Sequence, residues 1–308
     1  MTANNVKFAT YCQEWCDNLK LMGSVEPSTV DDYRKSLVAW HDLAEIDLGD
    51  VSRRMIEASM RGMLADGRVP STVRKRLVTL RHLFDDAVAY GDVQSNPCDG
   101  IRSPKQRKSC KNYLPVEERE RLKARIASSN LQITVAAAIA LYSGLREAEI
   151  CALRASDVNL EAKIGWVRRS IGRDNGKTYL KDVKNGHFRD FPIPEPLSMA
   201  LGRWIDANSV RGNAFLLTGT DKWADPAILG RKWASLCELE GFEGVLGKAP
   251  TFHDLRHTYA TVAISAGVDV KTVSSVLGHS SAAMTLDVYA VADPVAKRMS
   301  AGIVAASI

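Results

Sequence analysis

Apolar residues recur at helical spacing between positions 6 and 90, and this pattern constrains the first part of the chain most strongly. Phe8 and Tyr11 fall on one face of a first segment, and Val73 and Leu77 on one face of a fourth. Because residues three and four positions apart share a helix face, each such segment is predicted to be an amphipathic helix. Proline and glycine between the segments mark the breaks. The sequence therefore predicts a helical first part.

The fourth segment combines an apolar face with a basic one. Its N-terminal end is suited to binding a phosphate, because the first N–H groups of a helix lack partners and carry partial positive charge. A solvated charged face is the alternative interpretation. The residues predicted to contact a nucleic-acid backbone here are Thr72, Arg74, Lys75, Arg76 and Arg81.

A basic stretch then separates the first part from the rest of the chain. Residues 101–114 contain five positive side chains and no acidic one, and Pro97 and Pro104 mark the approach. This composition predicts a first domain over 1–104, a linker over 105–114 and a second domain over 115–308. A flexible, solvated linker is one interpretation, but positive charges along a DNA backbone gain free energy by releasing counterions. The linker residues predicted to contact DNA are Lys105, Arg107 and Lys108.

The second part mixes helices with a few short strands. Residues 164–170, 178–183 and 188–193 are predicted strands, and Asn185-Gly186 is the expected hairpin turn between the last two. Apolar periodicity predicts helices on both sides of the strands, with the last one over 294–306. The predicted fold class is therefore mainly α with a small antiparallel β-sheet, a helical domain followed by an α/β domain.

Composition excludes several kinds of protein. The net charge of +5 allows a nucleic-acid partner without requiring one. The six cysteines include no CxxC pair, so neither a zinc site nor a disulfide framework is expected. No apolar run approaches the roughly 18 residues of a membrane span, and the N-terminus lacks a signal-peptide layout. We expect a cytoplasmic protein with reduced thiols and no metal.

Most of the reactive side chains fall into three short windows. The densest is 251–259, which holds two histidines, an arginine and a tyrosine in one predicted helix start. Upstream, Gly144-Leu145-Arg146 opens a segment with Glu149 three residues beyond the arginine. Downstream, Leu277-Gly278-His279 precedes Tyr289.

Such a set suits chemistry at a phosphodiester. A guanidinium is always protonated, and its planar fork matches two phosphate oxygens, so two arginines can stabilise the charge that builds on them. A phenol has a pKa of about 10 and needs a base or nearby cations to act as a nucleophile. The leaving oxygen needs a proton from a general acid such as lysine or histidine.

Together these windows resemble the motifs of the tyrosine recombinase, or phage integrase, family. Residues 6–104 resemble its helical core-binding domain, and the strands near Lys184 resemble its catalytic-lysine hairpin. The sequence motifs that carry the resemblance are Gly144-Leu145-Arg146 with Glu149, His253-x-Leu255-Arg256-His257, and Leu277-Gly278-His279 with Thr285 and Tyr289. Each motif alone is weak, but their order and spacing together are specific.

The resemblance implies a role for each matching residue. Arg146 and Arg256 would clamp the scissile phosphate while Tyr289 attacks it to form a 3′-phosphotyrosyl link. Lys184 would protonate the leaving 5′-hydroxyl. The other implied roles are a proton acceptor or shuttle for His253, a hydrogen bond to a phosphate oxygen for His279, and support of the site for Glu149 and His257.

The resemblance also implies partners. The protein would act on double-stranded DNA recombination sites as a homotetramer in integration, excision, inversion or resolution, exchanging its C-terminal helix between subunits. An accessory directionality factor is a further possible partner. Because the covalent link conserves the energy of the phosphodiester bond, no cofactor, ATP or metal would be needed.

Alternatives remain open at this stage. Tyr259 competes with Tyr289 as the nucleophile, and Lys181 competes with Lys184 as the general acid. Arg146 and Glu149 could form a purely structural pair on one helix face. At the level of function, the alternatives are a regulator that binds DNA without cutting it and a DNA-relaxing enzyme that resembles the type IB topoisomerases.

Overall fold

The computed structural model describes residues 6–105, 110–182 and 188–278. Within these ranges the chain is mostly helical with two small sheets, which confirms the predicted fold class. The chain divides into two compact units. One comprises Met1–Lys108 with Arg173–Lys177, and the other comprises Ser109–Gly172 with Thr178–Ile308.

Four amphipathic helices form the first unit, as the periodicity predicts. Apolar spacing that continues from Leu37 to Trp40 and Leu43 predicts one longer second helix. Its regular part ends at Leu37 instead, and a 3₁₀ segment, Val38–Leu43, continues through a kink at Trp40. The tighter turn keeps Trp40 and Leu43 fully buried beside the other core residues. The four helices are α1 (Phe8–Met22), α2 (Pro27–Leu37), α3 (Arg53–Ala65) and α4 (Pro70–Ala89).

The second unit is built around one helix that is buried on all sides. In α6 (Gln132–Ser143) every residue except Gln132 and Tyr142 is buried. Its run of alanines lets neighbouring helices approach closely, and α10 (Phe252–Ser265) packs against it most extensively. The other helices of this unit are α5 (Val116–Ser128), α7 (Glu147–Ile150), α8 (Glu195–Ala207), α9 (Pro226–Glu240), α10 (Phe252–Ser265) and α11 (Val270–Leu277).

The strands form two sheets. The sheets contain β1 (Val158–Asn159), β2 (Ile164–Val167) and β5 (Arg189–Pro192) in the order β1-β2-β5, and β3 (Arg169–Asp174) with β4 (Lys177–Asp182). The predicted turn Asn185-Gly186 lies outside the described residues; of the two described strands that flank it, β4 pairs with β3 and β5 pairs antiparallel with β2. A two-residue turn that the sequence analysis did not single out, Asn175-Gly176, joins β3 to β4, with φ values of 46° and 79°. Positive φ at both positions is what a type I′ hairpin requires.

In the described ranges, no helix has both the length and the apolar character needed to cross a membrane.

Candidate active site

Arg146 lies at the start of α7, directly after the end of α6. The backbone N–H of Arg146 donates to Glu149 Oε2 at 2.9 Å, and its Nη1 donates to Glu149 Oε1 at 2.9 Å. Its Nη2 donates to the carbonyl oxygen of Gly278 at 2.9 Å. Helix α7 is a single turn that ends at Ile150. The side chain of Arg146 remains 38% exposed, so its guanidinium can reach a ligand.

Glu149 is a buried carboxylate held by two arginines. It is 4% exposed. Besides Arg146, Arg189 donates to it from Nη1 at 3.0 Å and from Nη2 at 2.5 Å. Burial alone would raise the pKa of this carboxyl, but Arg189 and then Arg146 outweigh it and hold the pKa below its ordinary value. Glu149 is therefore ionised at neutral pH.

Arg256 occupies the second turn of α10 and is almost fully buried, with 2% exposure. The helix starts in a capping box, in which Asp254 Oδ2 accepts hydrogen bonds from the N–H and the hydroxyl of Thr251. Arg256 Nη1 donates to the carbonyl of Gly144 and Nη2 to that of Leu277, both at 2.8 Å. Residues distant in sequence thus meet at one guanidinium.

Three arginines bind three consecutive carbonyls at the end of α11. Arg189 Nε donates to Val276 at 3.1 Å, Arg256 to Leu277 and Arg146 to Gly278. The last carbonyls of a helix lack partners within it and carry the negative end of its dipole, so cations are stabilised there. Gly278 ends the helix in the left-handed conformation, with φ 64°.

The cluster has more positive than negative charge. Arg146, Arg189 and Arg256 surround the carboxylate of Glu149. The pKa of Arg256 is lowered to about 9 by burial first, and then by the charge of Arg146. A guanidinium with that pKa is still protonated at neutral pH. The site is therefore suited to an anion with several oxygens, such as a phosphodiester.

His253 and His257 lie one turn apart on α10. Their ring centroids are 4.8 Å apart and the rings are perpendicular. The pKa of His253 is lowered by desolvation and by the neighbouring charge of Arg256. The pKa of His257 is lowered to about 4 by burial and by His253. Both imidazoles are therefore neutral at pH 7 and can accept a proton or a hydrogen bond.

The two rival residues from the sequence fall at different places. Tyr259 packs on Gly144 and beside Leu277, and burial raises the pKa of its phenol. A raised pKa makes a phenol a poorer nucleophile at neutral pH. Lys181 lies half-buried on β4. The structure thus gives Tyr259 a packing role.

Several predicted site residues lie outside the described part of the chain. They are Lys184, His279 and Tyr289 of the catalytic set and Arg107 and Lys108 of the linker. The predicted C-terminal helix over 294–306 lies outside it too. Gly278, the last described residue, directly precedes His279.

The described residues that are predicted to contact DNA lie on α4, except for Lys105, which follows the core of the first unit in sequence. Arg74 and Lys105 are exposed, whereas Thr72 is half-buried. Lys75 pairs with Asp32 at 2.9 Å. The remaining two predicted residues have contacts inside the unit, Arg76 with Met63 Sδ at 3.4 Å and Arg81 with the Ile101 carbonyl at 2.5 Å.

Sequence reasoning missed two residues of this site. Arg189 had no motif to mark it, since its partners Glu149 and Val276 are distant in sequence. The role of Gly144 was also missed. A Cβ there would lie 2.6 Å from both Leu277 Cδ2 and Tyr259 Cδ1, so only glycine leaves room for α11 and α10 at this point.

Comparison with known proteins gives matches over most of the chain. A tyrosine recombinase from Thermosipho africanus (strain TCF52B) is 25% identical over 273 residues, which cover 86% of this chain and 89% of that protein. The Tn1549 transposon integrase in complex with a circular intermediate DNA has the same fold, with a TM-score of 0.76, 22% identity, and coverage of 96% and 99%. A lambda integrase tetramer bound to a Holliday junction gives a TM-score of 0.68, 19% identity, and coverage of 90% and 79%.

The family profile matches the part of the chain that carries the site. Residues 112–294 match the phage integrase family, and this range is more than half of the chain. It contains the arginine cluster described above together with Lys184, His279 and Tyr289. On the strength of this match, and in agreement with the arrangement of its arginines, the chain belongs to the phage integrase family.

Proposed function

We propose that this chain is a site-specific DNA recombinase that cuts and rejoins strands through a covalent link between Tyr289 and a DNA 3′-phosphate. The observation that carries the proposal is the convergence of Arg146 and Arg256 on the carbonyls of Gly278 and Leu277. These carbonyls directly precede His279. The two guanidiniums and the segment that leads to the nucleophile thus meet at one place.

The two arginines would stabilise the transition state of phosphoryl transfer. The Tyr289 oxygen forms a bond to phosphorus while the bond from phosphorus to the 5′-oxygen breaks, and negative charge grows on the non-bridging oxygens. Arg146 and Arg256 are charged and held in place before the reaction, so they need little reorganisation as that charge develops. Each fork has donors left over for phosphate oxygens, since five N–H groups are available on each guanidinium.

The remaining proton transfers are assigned to the other members of the set. His253 is neutral at pH 7 and takes up or relays the Tyr289 proton. Lys184 gives a proton to the leaving 5′-oxygen, and His279 donates to a phosphate oxygen. Attack of a second strand's 5′-hydroxyl on the phosphotyrosyl link reverses the reaction, so no outside energy source is needed.

The first unit and the basic linker would hold the DNA. In this proposal 1–104 is the core-binding domain, 105–114 the linker and 115–308 the catalytic domain. Arg74 and Lys105 are exposed, which supports contacts from the core-binding domain and the linker to the DNA backbone.

Assembly as a tetramer on two duplexes completes the proposal. The solved lambda integrase tetramer on a Holliday junction, which has the same fold, supports it. The C-terminal helix over 294–306 would dock on a neighbouring subunit. An accessory factor would set the direction of the reaction, which is integration, excision, inversion or resolution.

The decisive test is capture of the covalent intermediate. A library of nicked duplexes with randomised sequence is incubated with the protein, covalent complexes are isolated under denaturing conditions, and the recovered site is used in a suicide-substrate assay. Wild-type protein and Tyr259→Phe should form the covalent band. Tyr289→Phe should not, because it lacks the attacking oxygen.

Other outcomes separate the alternatives. Sequence-specific binding without any covalent band would identify a DNA-binding regulator and reject the recombinase. Relaxation of supercoiled DNA without strand exchange between two sites would identify a topoisomerase-like enzyme. A covalent band with Tyr289→Phe that disappears with Tyr259→Phe would reassign the nucleophile.

A further inference from the structure

Arg189 is a candidate for a role in the reaction although it lies in none of the recognised motifs. It is the first residue of β5, which forms an edge of the three-stranded sheet. Its side chain is 18% exposed. It reaches across to two different segments, the carboxylate of Glu149 and the C-terminal end of α11.

The contacts of Arg189 use the shape of a guanidinium. Nη1 and Nη2 donate to the two separate oxygens of Glu149, and Nε donates to the Val276 carbonyl. This fork-to-carboxylate geometry fixes the plane of the carboxylate, which a single ammonium group cannot do. The same carboxylate accepts from the Nη1 of Arg146. The orientation of the Arg146 fork thus depends on a group that Arg189 holds.

The second contact of Arg189 acts on the end of α11. With Arg256 on Leu277 and Arg146 on Gly278, the Arg189 bond to Val276 completes a row of three arginine-bound carbonyls. Gly278 lies against Arg189, since a Cβ at this glycine would be 3.0 Å from the guanidinium carbon. Arg189 thereby fixes the backbone from which the chain enters His279.

We propose that Arg189 is a positioning residue for phosphoryl transfer. It orients the Arg146 fork through Glu149 and fixes the end of α11, without itself touching DNA. The proposal rests on the function proposed above, in which Arg146 and Arg256 clamp the scissile phosphate. A misplacement of about 1 Å in a catalytic group can cost about 100-fold in rate, so loss of Arg189 is expected to slow cleavage by that order.

The test is single-turnover cleavage of a suicide substrate at saturating protein, with DNA affinity measured separately. Arg189→Gln should cleave about 100-fold more slowly while its DNA affinity stays at the wild-type value. Arg189→Lys should recover only part of the rate, because it restores the charge but not the fork. Arg203→Gln is the matched control, since Arg203 also donates to a carbonyl, that of Ile126, from a half-buried position. It should cleave at the wild-type rate.

A double variant tests whether Arg189 acts through Glu149. In the Glu149→Gln background, Arg189→Gln should cause a much smaller further loss than it causes alone, because the carboxylate it orients is already gone. Equal, additive losses would mean that Arg189 acts independently of Glu149 and would overturn the proposal. Thermal melting of every variant shows whether a slow variant is folded.

Each remaining outcome has one meaning. Wild-type rates for both Arg189 variants, with wild-type protein forming the covalent complex, would overturn the positioning role and leave the recombinase standing. If wild-type protein forms no covalent complex with any duplex of the randomised library, the proposed function itself fails. Should Arg189→Gln not fold, Arg189→Lys decides, and cleavage at the wild-type rate by this variant rejects the proposal.

Discussion

At the scale of single residues, the site depends on the number of donors in a guanidinium. Arg256 is buried and joins Gly144 to Leu277 through separate nitrogens. Arg146 likewise divides its donors between Glu149 and Gly278. A lysine carries the same charge but concentrates it at one point, so it cannot hold two segments and a phosphate together.

Arg256→Lys should therefore keep DNA binding and lose most cleavage. Loss of one preorganised donor of this kind costs about 10²–10³ in rate. Arg121→Lys is the matched control, because Arg121 also donates from two nitrogens to two carbonyls, those of Glu240 and Gly241, but in an exposed position. Cleavage and filter binding are measured for both variants. Full cleavage by Arg256→Lys would remove this arginine from the phosphate clamp.

The pH dependence of cleavage should report the state of His253. Desolvation and Arg256 lower its pKa from the ordinary value of 6.5, so the neutral, proton-accepting form persists below pH 6.5. The single-turnover rate should stay level as the pH falls to 6.5 and decline only below it. His253→Gln should be slower and should lack this decline. An inflection above pH 6.5 that disappears with His253→Gln would contradict the prediction.

At the scale of elements, the arginine side chains are held by backbone carbonyls at the ends of helices. Arg146 follows the end of α6, and its partner Gly278 ends α11. Helix termini carry backbone groups without intrahelical partners, which gives the side chains carbonyls to bind. Gly144, with φ 65°, turns the chain so that its own carbonyl also faces Arg256.

Gly144→Ala should destabilise the second unit more than an equivalent change elsewhere. The left-handed backbone costs a non-glycine residue about 1–2 kcal/mol, and the crowding against Leu277 and Tyr259 adds about 1–3 kcal/mol. Gly241→Ala is the control, because Gly241 also ends a helix at φ 63°, but a Cβ there would meet no atom of the described residues within 4 Å. Chemical denaturation measures both. Equal losses would show that crowding at Gly144 is unimportant.

At the scale of the whole molecule, each unit has a hydrophobic core of its own. The buried apolar residues of the first core run from Phe8 to Ile101, and those of the second from Leu114 to Leu255. The described basic side chains of 101–114, which are Arg102, Lys105 and Lys111, belong to neither core. Their charge therefore costs little in folding free energy.

Neutralising the linker should weaken DNA binding without changing sequence preference. If these residues bind DNA as proposed, replacing Lys105, Arg107 and Lys108 with alanine removes contacts to DNA phosphates, and each lost contact should lower the slope of log affinity against log salt by about 0.9. The loss should be equal on a recovered site and on an unrelated duplex, because phosphates carry no sequence information. Salt titrations on both duplexes measure it. A loss confined to the recovered site would contradict the prediction.

Local signals in the sequence were sufficient for most of the helices and for three residues of the arginine cluster. Periodicity places α1, α4 and α10, because a buried helix face repeats every three to four residues. Motif spacing singled out Arg146, Glu149 and Arg256. The strand pairing was not predictable in this way, because the sequence contains two Asn-Gly pairs that are equally good turns, and the pairing of β3 with β4 through Asn175-Gly176 had no stronger local signal than the other.

The sequence by itself determined the helical segments, the two-part organisation of the core residues and the family motifs. Each of these features depends on residues that are close together in the sequence. Only the tertiary structure decided which arginine donates a hydrogen bond to which backbone carbonyl. Arg189 binds Glu149 and Val276, and Gly144 makes room for Leu277, only because packing around α6 brings distant segments together. Contacts of that kind depend on the path of the whole chain, and no local pattern of residues encodes them.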